Sequence, residues 1–209
     1  ETKRDMRVRV RTYDLTGKLR DDRSADDIRV DAGGSVQAMT LPPGPADSPV
    51  FFVRCELLDH SGQVVAENVY WQSQQVDDVG PPANDAAFDS IQSSWADMTA
   101  LNYMPKVPLT VTAANTDADS GQQVTSQQVT IRLSNPSKKI AFFERAELLS
   151  APDSDEILPI EYDDNYVTVF PGETVEIKGR VPARGSNVPR ASWVRVTGYN
   201  SPPVVVPVR

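Results

Sequence analysis

The N-terminal part of the chain alternates between apolar and polar positions. In "MRVRVRTY" (6–13) every second residue is an arginine up to position 11, which predicts a β-strand with one dry and one solvated face. Further strands are predicted at "SVQAMTL" (35–41), "VFFVRCELL" (50–58) and "QVVAENVYWQ" (63–72), with Gly- and Pro-rich turn segments between them. The first 75 residues are therefore predicted to be all-β, with about five strands.

Residues 76–104 separate this block from the next one. The stretch "QQVDDVGPPAND" (74–85) is polar and contains two prolines, which is typical of a linker. In "FDSIQSSWADM" (88–98) apolar side chains recur at helical spacing, and Asn84 or Asp85 is available as an N-cap. This pattern predicts a short helix, and a packed irregular connector is the alternative.

From residue 105 onward the β pattern resumes. Strands are predicted at "LTVTAAN", "QQVTIRLS", "AFFERAELL", "ILPIEY", "YVTVF", "TVEIKGRV" and "SWVRVTGY". Seven strands in roughly a hundred residues match an immunoglobulin-like sandwich. The fold class predicted is all-β, with a partial immunoglobulin-like sandwich that lacks its N-terminal strands (1–75), a linker (76–104) and a complete immunoglobulin-like sandwich (105–209).

Charge and cysteine content exclude several kinds of partner and site. The chain has 209 residues and a formal net charge of −8, which argues against duplex DNA or an anionic membrane as the main partner, because both require clustered cations. Cys55 is the single cysteine, so an intrachain disulfide and a thiolate zinc site are excluded. No apolar run approaches the ~20 residues of a membrane span. The chain begins at Glu1 without an initiator Met, which leaves any leader undetermined.

The sequence provides no pair of residues suited to nucleophilic catalysis. The only histidine, His60, lies in "DHSG" between two predicted strands, where a solvated turn residue is expected. Cys55 lies within an apolar strand and is interpreted as a small buried hydrophobe. A Gly-rich phosphate loop, HExxH and paired CxxC are missing from the sequence. We therefore predict no catalytic, cofactor-binding or metal-binding residue in this chain, and no cofactor.

Three polar segments deserve comparison with binding sites. "NTDADSG" (115–121) resembles a calcium loop but lacks its glycine and its final acidic residue, so a hairpin loop is predicted. In "DDNYVTVFPGE" (163–173) Asp163, Asp164 and Asn165 are interpreted as a polar turn, in which asparagine tolerates a left-handed backbone and aspartate can bond its own main chain. The arginine stripe of the first strand could bind an anion, but nearby acidic residues nearly balance it, which favours a solvated strand face.

Aromatic residues keep sugar binding open, because β-sandwiches can present aromatic platforms. The candidates are Tyr70, Trp71, Trp95, Trp193 and Tyr199. Adjacent strand residues point to opposite faces, so about half of these side chains are expected in the core.

The order and spacing of several motifs resemble the C-terminal tail of glycoside hydrolase family 2, in the branch of the exo-β-D-glucosaminidases and endo-β-mannosidases (mannosylglycoprotein endo-β-mannosidase). These motifs are "ENVYWQS", "LNYMPKVPLTVT", "AFFERAELL", "ILPIEYDDNYVTVFPGETVEI" and "RVTGYN", and together they span nearly the whole chain. The resemblance implies two immunoglobulin-like domains that follow a catalytic (β/α)₈ barrel. It also implies that the first domain starts upstream of the matching segment.

This resemblance implies a non-catalytic accessory role. Retaining glycosidases use two carboxyl groups about 5 Å apart at barrel strand ends, and the strand–helix alternation of a barrel is not found here. Glu67-Asn68 has the reverse order of the family's Asn-Glu motif, so no catalytic residue is transferred. The implied partners are the catalytic barrel and other domains of a parent enzyme that cleaves β-mannosides or β-glucosaminides, and its β-linked oligosaccharide substrate. A secreted or periplasmic location is also implied. The alternative is a free-standing carbohydrate-binding or adhesion module.

Overall fold

The computed structural model describes residues 2–82, 90–116, 126–182 and 189–209. The chain divides into two compact units, Glu1–Met104 and Pro105–Arg209, which we call the N-terminal unit and the C-terminal unit. Antiparallel β-sheet dominates both units, so the predicted all-β class is confirmed. A short 3₁₀ helix, Thr99–Tyr103, is the only helical element in the described ranges, and none there is long and apolar enough to cross a membrane.

The N-terminal unit contains a four-stranded sheet in the order β2-β1-β3-β4 and a hairpin-like pair, β5-β6. The strands are β1 (Lys3–Asp14), β2 (Leu19–Val30), β3 (Val50–Leu58), β4 (Val64–Ser73), β5 (Asp78–Pro82) and β6 (Ser90–Ser94). Met6 and Val10 of β1 are buried on one face with Val53 of β3, as alternation predicts. The larger sheet thus has one face on which apolar side chains are buried.

Two predictions in this unit are wrong, and one strand was not predicted. Residues 35–41 form no strand, and this mostly exposed segment leads into a pair of prolines that cannot donate ladder hydrogen bonds. The helix predicted over 88–98 is wrong because Ser90–Ser94 pairs with β5 instead, although residues 88 and 89 lie outside the described residues. The charged strand β2 was not predicted. It pairs along β1 as an edge strand, where acidic side chains meet the arginine stripe.

The C-terminal unit is a two-layer sandwich of four-stranded sheets, in the orders β10-β12-β8-β7 and β11-β9-β13-β14. Its strands are β7 (Thr110–Asn115), β8 (Ser126–Ser134), β9 (Ala141–Leu149), β10 (Glu161–Tyr162), β11 (Val167–Val169), β12 (Thr174–Pro182), β13 (Trp193–Thr197) and β14 (Val204–Pro207). All seven predicted strands are present at least in part, and β14 is added. A parallel bridge between Ala113 and Val208 links the two sheets at one edge.

The core of this sandwich is formed by alternating inward residues of both sheets. Fully buried members include Val129, Ile131, Leu133, Ala146, Leu148, Ile177, Val194 and Val196. These are β-branched or aliphatic side chains at every second position, which is the pattern that fills the space between two packed sheets. Leu148 is therefore an inward position of β9, and so are the residues two and four positions before it. One of these inward positions is Glu144.

Candidate functional site

The acidic turn that precedes β11 uses its carboxylates to hold the backbone. The Asp163 carboxylate accepts hydrogen bonds from the backbone N–H of Lys178 at 2.7 Å and of Asp164 at 2.9 Å. The Asp164 carboxylate accepts one from the N–H of Asn165 at 2.8 Å. This is the turn chemistry expected from the sequence, because Asp side chains readily bond nearby main-chain donors.

Asn165 connects this turn to β9. Its side-chain oxygen accepts a hydrogen bond from the N–H of Ala146 at 2.9 Å, and its amide group donates to the carbonyl of Ala146 at 3.0 Å. The left-handed residue is Tyr166, with φ of 57°, and not Asn165, although asparagine tolerates that conformation. The reason is that Asn165 bridges the two strands, so the reversal of backbone handedness falls one residue later.

A β-bulge interrupts β9 directly opposite this turn. Val167 pairs with Glu144 and Val169 pairs with Ala141, so Phe142 and Phe143 together oppose one residue of β11. Phe143 is left-handed, with φ of 58°. Phe143 faces solvent, where 39% of it is exposed, and Glu144 is fully buried.

Glu144 is an acid placed on the core face of the sandwich. The Ser201 hydroxyl donates a 2.5 Å hydrogen bond to its Oε1, while Oε2 has no hydrogen-bond partner in the described part of the chain. Gly198 packs so closely on the carboxyl group that a Cβ at this position would overlap it. Burial raises the pKa of Glu144 to about 7, and the hydrogen bond from Ser201 opposes this rise. The carboxyl group is therefore neutral in mildly acidic solution.

Three exposed aromatic rings surround the bulge, and we call Phe143, Tyr166 and Tyr199 the aromatic surface. The Phe143 and Tyr166 ring centroids are 5.0 Å apart. The buried Phe142 ring lies 5.5 Å from Phe143 and 5.7 Å from Tyr199. Exposure is 48% for Tyr166 and 44% for Tyr199. Non-glycine residues in the left-handed region cost about 1–3 kcal/mol each, and such residues cluster at functional sites.

Asn200 holds the backbone next to Tyr199 in place through its side-chain hydrogen bonds. Its side-chain amide donates to the carbonyls of Ile140 and Pro105, each at 2.8 Å, and its side-chain oxygen accepts from the N–H of Phe142 at 2.8 Å. The N–H of Tyr199 donates to the carbonyl of Phe142 at 2.9 Å. Each ring is therefore carried by a backbone segment that is hydrogen-bonded to β9 or its flank.

The residues considered for catalysis lie apart from this surface. His60 is exposed in the turn between β3 and β4 and borders a shallow groove that also contains Asp5, Asp27 and Asp59. Cys55 is half-buried in β3, and burial raises the pKa of its thiol. Within the described ranges no group of three or more His, Cys, Asp or Glu side chains is placed to hold a metal ion. The calcium-loop-like segment lies outside the described residues from position 117 onward.

The arginine stripe of β1 is engaged in ion pairs across the sheet. Arg9 contacts Asp22 of β2 at 2.6 Å, and Arg11 contacts Glu56 of β3 at 2.8 Å. Arg7 is paired with Asp26. The hydrogen bond from Arg9 lowers the pKa of Asp22. The stripe is thus a strand face whose charges are compensated by neighbouring carboxylates.

The expectation that half of the aromatic candidates are buried is wrong. Tyr70, Trp71, Trp95 and Tyr199 are exposed, and Trp193 is half-buried. Tyr70 and Trp71 lie on the edge strand β4, which is exposed along nearly all of its length. Of these candidates only Tyr199 belongs to the aromatic surface. Phe143 and Glu144 were not predicted as site residues. The sequence does carry a signal, because Glu144 falls on the same side of the strand as Leu148, where an apolar residue is expected.

Both units match sequence models of known protein families. Residues 88–201 match the sequence model described as "Exo-beta-D-glucosaminidase Ig-fold domain". Residues 1–74 match the model described as "Mannosidase Ig/CBM-like domain". Residues 75–87 and 202–209 lie outside both matches.

Similar proteins include exo-β-D-glucosaminidases of bacteria. The chain is 30% identical to one from Streptomyces avermitilis over 206 residues, which are 97% of the chain and 22% of that protein. It is 27% identical to one from Amycolatopsis orientalis, covering 95% of the chain and 19% of that protein. The crystal structure of the Amycolatopsis orientalis exo-chitosanase CsxA aligns with 99% of the chain at a TM-score of 0.86 and 25% identity, over 24% of CsxA. The chain thus spans about a fifth of the length of these relatives.

Proposed function

Because the chain belongs to the exo-β-D-glucosaminidase Ig-fold domain family, we propose that it is the non-catalytic accessory region of a glycoside hydrolase family 2 enzyme that cleaves β-glucosaminides. The observation that carries this proposal is that nearly the whole chain aligns with about a fifth of each glucosaminidase. The catalytic barrel lies in the remaining part of such an enzyme. The relatives favour a glucosaminide substrate over a mannoside, although the match of residues 1–74 carries a mannosidase description.

The described carboxylates support an accessory role. A retaining glycosidase needs two carboxyl groups about 5 Å apart that face a sugar-sized cleft. Glu144 is sealed in the core, and Glu147 accepts hydrogen bonds from Arg195 at 2.8 and 3.2 Å. Asp163 is bonded to the backbone of its own turn. Each of these acids serves the fold.

The N-terminal unit offers a surface for packing against the catalytic domain. One face of its larger sheet is apolar, because Val8 pairs with Leu57 and Leu57 pairs with Ala66 on the same side. These residues and Cys55 line an open groove together with Glu56, Glu67 and Asn68. Ala66 is exposed, whereas Val8, Leu57 and Cys55 are half-buried. Exposed contiguous apolar surface commonly marks a protein–protein contact. We assign this face to contact with another domain of the parent enzyme.

A truncation of the parent enzyme tests the accessory role. The full polypeptide and a version that lacks this region are compared for hydrolysis of p-nitrophenyl β-D-glucosaminide and for thermal inactivation. We expect the truncated enzyme to lose thermal stability and activity, and this chain alone to show no turnover. Ala66→Arg, on the apolar face, should lower the thermal stability and activity of the full enzyme. Ser61→Arg, in the exposed β3–β4 turn, should leave both unchanged. Turnover by the chain alone, or a truncated enzyme with unchanged properties, contradicts the proposal.

A secreted or periplasmic location of the parent enzyme is part of the same proposal. It rests on the family resemblance alone. Fractionation of the source cells, with activity measured in the medium and in the cell contents, tests this location. Activity confined to the cell contents contradicts it.

A further inference from the structure

At the bulge in β9 an apolar side chain lies on the outward face of the strand and a charged one on the inward face. Phe143 faces solvent, and the next residue, Glu144, is buried in the core without a partner for Oε2 in the described part of the chain. A sequence selected only for stability would place these side chains the other way round. Bulges are often found where a side chain is re-aimed toward a functional site, and violations of local rules concentrate at such sites. The outward aromatic ring and the buried acid next to it therefore mark this segment of β9 as a candidate site.

The second ring of the aromatic surface is aimed outward in the same way. Tyr166 is also left-handed, and its ring lies against that of Phe143. Asn165 holds the backbone just before Tyr166, and Asn200 holds the backbone just after Tyr199. A surface held by such hydrogen bonds loses little conformational entropy when a ligand binds. The arrangement thus suits a small rigid ligand that stacks on aromatic rings.

The acidic residues near the aromatic surface favour a ligand that carries a positive charge. The chain carries a formal charge of −8, and the exposed residues Asp163 and Asp164 lie in the turn that leads into Tyr166. Aromatic ring faces attract cations and also pack against apolar C–H groups. A β-linked glucosamine unit combines an apolar ring face with an ammonium group. Arg145, the nearest cation along β9, is compensated by Glu156 at 2.6 Å.

Building on the proposed function, we propose that the aromatic surface of Phe143, Tyr166 and Tyr199 binds a glucosamine unit of the parent enzyme's oligosaccharide substrate, outside the catalytic domain. The ring faces stack on the sugar, and the acidic turn attracts its ammonium group. The accessory region then holds the substrate chain while the catalytic domain hydrolyses it. The other occupant of such a surface is a neighbouring protein domain, and the experiment distinguishes the two.

The test is an NMR titration of the 209-residue chain with a fully deacetylated chito-oligosaccharide. Backbone amides at 142–144, 165–167 and 198–200 should shift, with a Kd in roughly the millimolar range. The N-acetylated oligosaccharide should bind more weakly, because it lacks the ammonium group. Shifts confined to the exposed Tyr70 and Trp71, or no shifts up to roughly 10 mM ligand, overturn the proposal.

Matched variants connect binding to the rings. Phe143→Gly removes one ring and accepts the left-handed backbone without strain, so the fold is retained. It should raise the Kd about tenfold, since one aromatic contact contributes on that scale. Phe143→Tyr keeps the ring and should bind normally, and so should Tyr103→Ala, which removes an aromatic side chain that is 87% exposed in the N-terminal unit. Equal binding by Phe143→Gly and the unchanged chain overturns the proposal.

Failure here is distinguishable from failure of the accessory role. If the chain binds no oligosaccharide but the truncated parent enzyme loses activity, the accessory role stands and the sugar site is overturned. If, in addition, the three rings become protected from solvent in the full enzyme, a protein domain is their occupant.

Discussion

Replacing the buried Glu144 by glutamine should remove a pH dependence from the stability of the C-terminal unit. The pKa of this carboxyl group is about 7 in the folded chain and 4.5 for an ordinary glutamate. Between these values the folded chain keeps a proton that the unfolded chain has lost. The unfolding free energy therefore falls as the pH rises through this window and stays lower above it.

The size of the effect follows from the pKa difference. At 1.36 kcal/mol per pKa unit, the ionisation of Glu144 lowers the unfolding free energy by about 3 kcal/mol at high pH. Glutamine has nearly the same shape and does not titrate. The Glu144→Gln variant should therefore gain about 2.5 kcal/mol relative to the unchanged chain between about pH 5 and about pH 8.5. Any pH-independent cost of the substitution cancels in this difference.

Urea unfolding followed by tryptophan fluorescence measures this difference. In a background with Trp71→Phe and Trp95→Phe, Trp193 reports on the C-terminal unit. Glu147→Gln is the matched control, because the hydrogen bond from Arg195 lowers the pKa of Glu147. The contribution of Glu147 is present above its unfolded pKa and lost in acid, so this control should lose stability at high pH and less in acid. If the unfolding free energy of Glu144→Gln differs from that of the unchanged chain by the same amount at about pH 5 and about pH 8.5, Glu144 is not the neutral buried acid described above.

Three further predictions test the fold around the proposed sites. Asn165→Ala should destabilise the C-terminal unit by about 2–3 kcal/mol in urea unfolding, because both backbone groups of Ala146 lose a hydrogen-bond partner; an unchanged midpoint would show that the bridge contributes nothing. Gly44→Ala should lower the melting temperature of the N-terminal unit, because the added Cβ would overlap the Phe51 ring, whereas no change would place this loop elsewhere. Cys55 should react with iodoacetamide more slowly than a free thiol at mildly alkaline pH, because burial raises its pKa, and urea should abolish the difference; a rate equal to that of the free thiol in native buffer would contradict its burial.

Strands with a strong internal pattern could be predicted from the sequence. Apolar residues alternate over 129–133 in β8 and over 175–177 in β12, and the structure buries Val129, Ile131, Leu133 and Ile177 as that pattern requires. The arginines of β1 likewise face charged partners on one side of the sheet. These outcomes depend on period-two alternation, which is a local property of the chain.

Features that depend on a neighbouring strand could not be predicted in this way. The strand β2 has almost no apolar alternation and forms because its acidic residues pair with those arginines. The pattern of residues 88–98 suits a helix, but pairing with β5 determines the outcome. The bulge at Phe143 follows from the register between β9 and β11. The aromatic surface joins rings from three separate segments of the chain, so only Tyr199 among its residues was a candidate from the sequence.

If this chain works as part of a larger glucosaminidase, the native polypeptide is several times longer than the chain, and its intact mass measures this. An antibody raised against the 209-residue chain captures the protein from its source, and mass spectrometry measures the captured polypeptide. The account predicts a mass several times that of this chain, because the chain spans only 22% of the Streptomyces avermitilis enzyme, with peptides of a catalytic barrel in the same polypeptide or in a tightly bound one. A native protein that consists of this chain alone, without a bound catalytic domain, would contradict the account.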